Sequence, residues 1–351
     1  MNSKERVLTA FARQVPDRVP VGYIGFNAAI GSKLKQHFGT EDLNSALGSD
    51  FRRIGAPYKG LRLHEEIEGM NISSEWGIRT RWIEHESGGY GEVCECPLKD
   101  ALLEQVNKWP MPNPDDYDYS VITPFCKKME DYCVVCGCPS WPDVINGTSS
   151  LRTMEQVLID LISDEEAGLR LIERRCDILL GIAERTLESA KGGIDLLWLG
   201  EDLGSQRGPL ISLELFRRHI RPQIPKFVDL AASFNIPAMI HSCGSSSWAF
   251  DDFIQMGIKV VDTLQPEAVD MSPSSLKERY GGKLVFHGCI STAGVLAYGT
   301  PDDVTRNVQE TLEIMKPGGG YVLAPTHSIQ DNTSVENVIA MFEAAKKYGA
   351  Y

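Results

Sequence analysis

Residues 237–244, PAMIHSCG, hold three consecutive apolar side chains, Ala238, Met239 and Ile240, and then stop on His241, a spacer, Cys243 and Gly244. A short, unbroken apolar run bounded by polar residues and glycine is the outline of a strand covered on both faces. The outline recurs along the chain. IDLLWLG (194–200) runs into Glu201 and Asp202, and KVVDTLQ (259–265) carries Gln265 and leads to Glu267. KLVFHG (283–288) carries His287 and leads to Cys289, and GYVLAP (320–325) leads to Thr326 and His327. Helical text lies between these runs, closing with a helix over 334–347. YCVVCGC (132–138) predicts an earlier strand, and DFRRIGAP (50–57) a weaker one.

Continuous apolar strands separated by helices belong to a parallel sheet with both faces buried. At least five such steps favour a closed (β/α)8 TIM barrel over an open sheet. No G-x-G-x-x-G follows the first strand, so a dinucleotide-binding sheet has no support. The expected organisation is a single domain over 1–351 with an N-terminal extension. Residues 3–13 predict a short amphipathic helix, stopped by proline in VPDRVP, and residues 61–98 carry alternating β-rich text. There ESGG (86–89) predicts the tip of a β-hairpin. WPMPNPDDYDY (109–119) reads as an extended connector.

The chain has 351 residues, 42% of them hydrophobic, with 35 basic against 48 acidic side chains and a net charge of −13. That balance argues against nucleic acid or an anionic membrane as partner. No run is long enough for a membrane span, and the N-terminus lacks the apolar core of a signal peptide. A cytoplasmic protein is expected. Nine cysteines cannot all pair within one chain, so free thiols, metal ligands or core residues are expected.

In a barrel of this kind, chemistry gathers where strands end. Five successive strand ends deliver carboxylate, imidazole or thiol to one rim. Glu201 and Asp202 are the candidate catalytic residues, and Gln265 is a candidate substrate contact. His241 and Cys243 can converge if the strand breaks at Gly244, and imidazole with thiolate suits Zn²⁺. Glu267 and His327 would complete the shell from other strand ends. CVVCGC (133–138) has a tempting spacing, but a strand sets Cys136 and Cys138 on one face and Cys133 on the other, so a packing role is expected. PGGG (317–320) reads as a helix stop with turn glycines.

SKERVLTAF with VPDRVPV near the N-terminus, HSCGS, DTLQPEAVDM, HGCIS with GTPDDV, and the stretch from KPGGGYVLAPTHSIQDN to the C-terminus resemble the uroporphyrinogen decarboxylase superfamily. The resemblance covers nearly the whole chain and implies the same barrel. The family holds haem-pathway decarboxylases and cobalamin-dependent methyltransferases. The decarboxylases grip a polyanionic substrate with an arginine-rich N-terminal segment, whereas RVPVGYIGFNAAIG (18–31) has Arg18 alone. The methyltransferase branch implies zinc held by His-x-Cys, a distant Cys and a Glu. His241, Cys243 and Glu267 match by position. The distant Cys should follow LAP, where this chain has Thr326 and His327, so either His327 or Cys289 stands as the substitute.

What the resemblance implies is zinc-assisted methyl transfer between methylcobalamin, on a partner corrinoid protein, and a small thiol, methyl ether or alcohol. The expected partners are that corrinoid protein, the small-molecule methyl donor or acceptor and, in a homodimer, a second copy of the chain. The alternative is a decarboxylase of a tetrapyrrole or smaller carboxylated substrate, with Arg52, Arg53, Arg207 or Lys59 supplying cations.

Overall fold

The five later strand-like runs form strands because each is flanked by glycine or proline and buried along its whole length. In a computed structural model, which describes residues 1–86 and 88–351, ten strands occur among the described residues. They are β1 (Phe51–Ile54), β2 (Asn71–Ile72), β3 (Arg79–His85), β4 (Gly88–Glu95), β5 (Cys133–Pro142), β6 (Leu196–Gly200), β7 (Ala238–His241), β8 (Val260–Thr263), β9 (Val285–Ile290) and β10 (Tyr321–Pro325). Seven make one sheet, in the order β1-β5-β6-β7-β8-β9-β10, and every pairing in it is parallel. Helices on the outside connect them, among them Val144–Arg152, Glu166–Ala190, Ile224–Ser233 and Pro301–Met315, and Val335–Tyr348 follows the last strand. Among the described residues, no helix is long and apolar enough to cross a membrane.

Eight regular strands were expected and seven are present in this sheet. The sheet nevertheless curls until its two edges meet a short common segment. Gly22 N–H donates to Leu323 O at 3.0 Å, Leu323 N–H to Pro20 O at 2.9 Å, and Asp50 N–H to Val21 O at 2.9 Å. Residues 20–22 therefore touch both β10 and the head of β1. Pro20 opens this segment and Pro16 precedes it, and a proline supplies no N–H to a ladder, so it does not grow into a regular strand.

Strand alternation sorts the interior into two apolar groups. Cys133, Val135, Leu196, Trp198, Met239, Val260 and Val285 point inward and pack with Val7 of the N-terminal helix Ser3–Phe11. Their neighbours Val134, Cys136, Leu197, Ile240, Val261 and Phe286 point outward against the helices. Cys133 and Cys136 thus lie on opposite faces, and all nine cysteines are free. The second sheet, β2-β3-β4, is antiparallel, with β3 paired to β4 from Arg79 to His85. The expected ESGG tip includes Ser87, which lies outside the described residues.

One carboxylate joins the N-terminal segment to the main sheet. Asp50, fully buried just ahead of β1, accepts from Arg6 Nη1 at 2.9 Å, Arg18 Nη1 and Nη2 at 2.9 Å, Ser3 Oγ at 2.8 Å and Val21 N–H at 2.8 Å. Asp50→Ala removes the buried acceptor that Arg6, Arg18, Ser3 and the Val21 N–H share, and a loss of about 3–5 kcal/mol is expected. The measurement is urea unfolding. Lys108→Ala, which breaks an exposed pair with Glu104 at 2.6 Å, should shift stability by less than about 1 kcal/mol.

Candidate metal centre

Continuing the inward series by two residues per strand replaces the apolar layer with a polar one. His241, Asp262 and His287 are direct register partners across β7, β8 and β9. All three are buried. Asp262 Oδ2 lies 2.7 Å from His241 Nδ1, and its Oδ1 lies 2.5 Å from His287 Nδ1. An ionised carboxylate only accepts, so both rings donate through Nδ1 and turn Nε2 elsewhere. Thr263 Oγ1, 2.6 Å from His241 Nδ1, adds a second constraint on that ring. Burial alone would raise the Asp262 carboxyl, but the charge of His287 and the bond from His241 hold it well below the usual carboxylate range. Burial likewise opposes a charged His241 ring, yet Asp262, with Cys243 beside it, raises its pKa well above the ordinary value.

His241 Nε2 faces Cys243 Sγ at 3.2 Å and Asp202 Oδ1 at 3.7 Å. The chain reaches this arrangement by breaking the strand after His241. Gly244 has φ +68°, and a Cβ there would stand 2.4 Å from Gly204 O, so only glycine fits the turn. The break is pinned from both sides: Cys243 N–H donates to Asp202 Oδ1 at 2.8 Å and Gly244 N–H to Gln265 Oε1 at 2.6 Å. Asn146 Nδ2 holds the other Asp202 oxygen at 2.9 Å. Burial pushes the Cys243 thiol up, against the opposing pull of His241.

Among the described residues, Asp202, His241 and Cys243 form the one group of three whose ligand atoms lie within 4.8 Å of one another. Ligand atoms about 2.0–2.3 Å from a tetrahedral zinc stand about 3.3–3.8 Å apart, so a small contraction of this group would suffice. The donor set of one nitrogen, one sulfur and one oxygen fits such an ion. Cys243 and Asp202 are half-buried, so the group is reached from the rim.

The other expected residues stand apart from this group. Glu267 is exposed and accepts from Ser291 Oγ at 2.9 Å. His327 is exposed, with Nδ1 3.2 Å from Ser328 O. Cys289 sits in the outer core, where burial pushes its thiol up to about 12. Thr326, also buried, accepts Thr292 N–H on Oγ1 at 3.1 Å. Gln265 holds the Gly244 turn.

Glu201, expected to be catalytic, is instead 1% exposed at the head of the helix Val144–Arg152, accepting Val144 N–H at 2.6 Å and Ile145 N–H at 3.1 Å. Burial and nearby Asp143 push its carboxyl well above the usual range, against those two bonds. Of the cations, Arg52 is buried, stacked 3.7 Å over Tyr132 and bonded to Ser49 O and Phe51 O. Asp262, Thr263 and Asn146 had no assigned role from the sequence. The available signal was the aspartate inside VVDT, a charge in an otherwise apolar parallel strand.

With the geometry in place, the comparisons settle the class. A family model described as uroporphyrinogen decarboxylase (URO-D) matches residues 142–348, and the chain belongs to that family. Its curated relatives include the methylcobamide:CoM methyltransferase MtaA of Methanosarcina barkeri, 26% identical over 215 residues, covering 60% of each chain. The methylcobamide:CoM methyltransferase MtbA of Methanosarcina acetivorans is 22% identical over 189 residues, covering 54% of this chain and 52% of that one. The chain thus spans little more than half the length of these relatives. A solved structure, a methyltransferase from Methanosarcina mazei, superposes with a TM-score of 0.67 at 19% identity over the whole of both chains, which establishes a common fold.

Glu201→Ala would leave two buried N–H groups without an acceptor. A loss of roughly 1–3 kcal/mol for each orphaned group is expected in chemical denaturation.

Proposed function

We propose that this protein is a corrinoid-dependent methyltransferase that moves a methyl group between a protein-bound corrinoid and a small thiol, methyl ether or alcohol, assisted by Zn²⁺. The observation that carries this reading is the convergence of Asp202, His241 and Cys243 at the strand ends, with His241 already turned by Asp262 so that Nε2 faces the other two donors. The curated relatives named as methylcobamide methyltransferases support the corrinoid half. The reading takes the curled sheet as a (β/α)8 barrel closed by residues 20–22, one domain over 1–351. Nine unpaired cysteines suit a reducing compartment, the cytoplasm.

Asp202, His241 and Cys243 would hold the ion with three protein donors, the number found in catalytic rather than structural zinc sites. Zinc there supplies Lewis acidity toward the sulfur or oxygen of the small molecule, and the partner's corrinoid supplies the methyl-carrying chemistry. The chain's own residues supply position. Asp262 and Thr263 fix the His241 ring; Asn146 and the Cys243 N–H fix Asp202; Gln265 fixes the turn that brings Cys243 back toward His241. The half-buried faces of Cys243 and Asp202 point the reaction toward the rim, where a second protein can dock.

Freshly purified protein should carry zinc near one equivalent by elemental analysis and should demethylate methylcobalamin with one member of a thiol panel. Cys243→Ala should lose both zinc and turnover, while Glu267→Ala and His327→Ala keep the metal. Full zinc content in the Cys243 variant would overturn the proposal.

A further inference from the structure

His287 is a buried imidazole that the site described above does not use as a metal ligand. The ring is 2% exposed and has one hydrogen-bond partner among the described residues, Asp262, through Nδ1 at 2.5 Å. Packing takes three of its other sides. Phe51 meets it edge-on at 5.7 Å between centroids, and Trp198 does so at 6.0 Å. Its Nε2 edge rests against the backbone of residue 22, where a Cβ would come within 2.8 Å of that nitrogen, so Gly22 is what lets the ring lie there. On the open side is a cavity of about 340 Å³ that His287 lines together with Tyr23, Arg53, Trp198 and Met239.

A ring held this firmly has one rotamer to offer, and its single polar bond goes to a carboxylate that already serves another histidine. Asp262 has two oxygens and each meets one ring, so fixing the His287 end fixes the rotation of the carboxylate plane. That rotation decides where Oδ2 stands against His241 Nδ1. His241 in turn has little freedom, because only the orientation found here aims Nε2 at Cys243 Sγ and Asp202 Oδ1. We propose that His287 is a positioning residue of the metal centre: by anchoring Asp262 it holds His241 in the orientation that binds the ion, without touching the ion itself. The inference rests on the zinc reading above and adds a residue to it. A group acting at this remove belongs to the class of partners whose loss typically weakens metal affinity about 10–100-fold.

The test uses two substitutions that divide the ring's geometry. His287→Asn puts an amide nitrogen near the place of Nδ1 and keeps a donor for Asp262. His287→Gln puts its amide nitrogen near the place of Nε2 and leaves Asp262 without that bond. Zinc dissociation constants are measured on the full chain by chelator competition, and unfolding midpoints are recorded alongside. The expected result is a His287→Asn protein within about threefold of the natural affinity and a His287→Gln protein weakened about 10–100-fold. Both variants disturb the same packing, so a purely structural role would lower both midpoints and shift both affinities alike. Equal affinities for the two variants, or a natural affinity retained by His287→Gln, would overturn the inference. If the unsubstituted protein binds no zinc, the proposed function itself falls, which separates the two failures.

Discussion

An ionised carboxylate removed from water loses several kcal/mol of solvation, and the interior must return it through charge and hydrogen bonds. Asp262 is such a group, 2% exposed in the middle of a parallel sheet. The strand register supplies the remedy by placing His241 on one side of it and His287 on the other. Both rings must donate to it, and that requirement sets the tautomer and tilt of each. The backbone just beyond these residues is also unusual. Thr263 and Leu264 have φ of +91° and +48°, and Cys289 has +78°, conformations that side chains bearing a Cβ rarely adopt. Strain at consecutive strand ends persists only where the surroundings enforce it, and such strain clusters at functional sites. The carboxylate and the turns around it therefore act as one unit that aims a single nitrogen.

Glu201 and Asp202 are adjacent carboxylates with opposite fates, and the difference is one of direction. Side chains at consecutive positions near a strand end point to opposite sides. Glu201 falls on the side facing the helix Val144–Arg152 and takes two of its free N–H groups, a natural destination for an acid at a helix N-terminus. Asp202 falls on the rim side. It is held there by Asn146 from that same helix and by the N–H of Cys243. The two residues stitch one helix head to the end of β6, and only the second is left within reach of His241.

The sheet strands and the later helices were legible because burial on both faces writes itself as unbroken apolar runs, and helix ends carry their own marks, such as Thr300 and Asp303 bonding reciprocally ahead of Pro301–Met315. His241 and Cys243 were legible because they lie within three residues on one strand end, with Gly244 to allow the break. Asp202 was legible as chemistry, but choosing between it and Glu201 as the one that faces His241 requires the direction of each side chain. Glu267 and His327 lie outside the group of Asp202, His241 and Cys243 for a related reason. Both follow a strand by a few residues, but by then the chain has turned onto the surface, and sequence distance no longer measures reach. The path of residues 20–22 between the two sheet edges was obscured by Pro20, which hides a strand-like path behind the composition of a turn.

The family pattern implies a distant thiolate after LAP, and this chain has Thr326 and His327 there, the first with a hydroxyl. That hydroxyl is not an idle replacement. It is buried and accepts the N–H of Thr292, so the position has become part of the link between β10 and the loop after β9. A centre that gives up one thiolate must draw a third donor from elsewhere or lose its ion. Asp202 offers an oxygen 3.7 Å from His241 Nε2, on the side of the group bounded by β6. Exchanging sulfur for oxygen makes the donor set harder, and harder sets withdraw less of the ion's positive charge. An ion held by one thiolate, one imidazole and one carboxylate would thus keep more Lewis acidity toward a fourth ligand than one held by two thiolates. On the proposed reading, that would suit an oxygen-bearing substrate, an ether or alcohol whose oxygen is polarised before its methyl leaves, at least as well as a thiol.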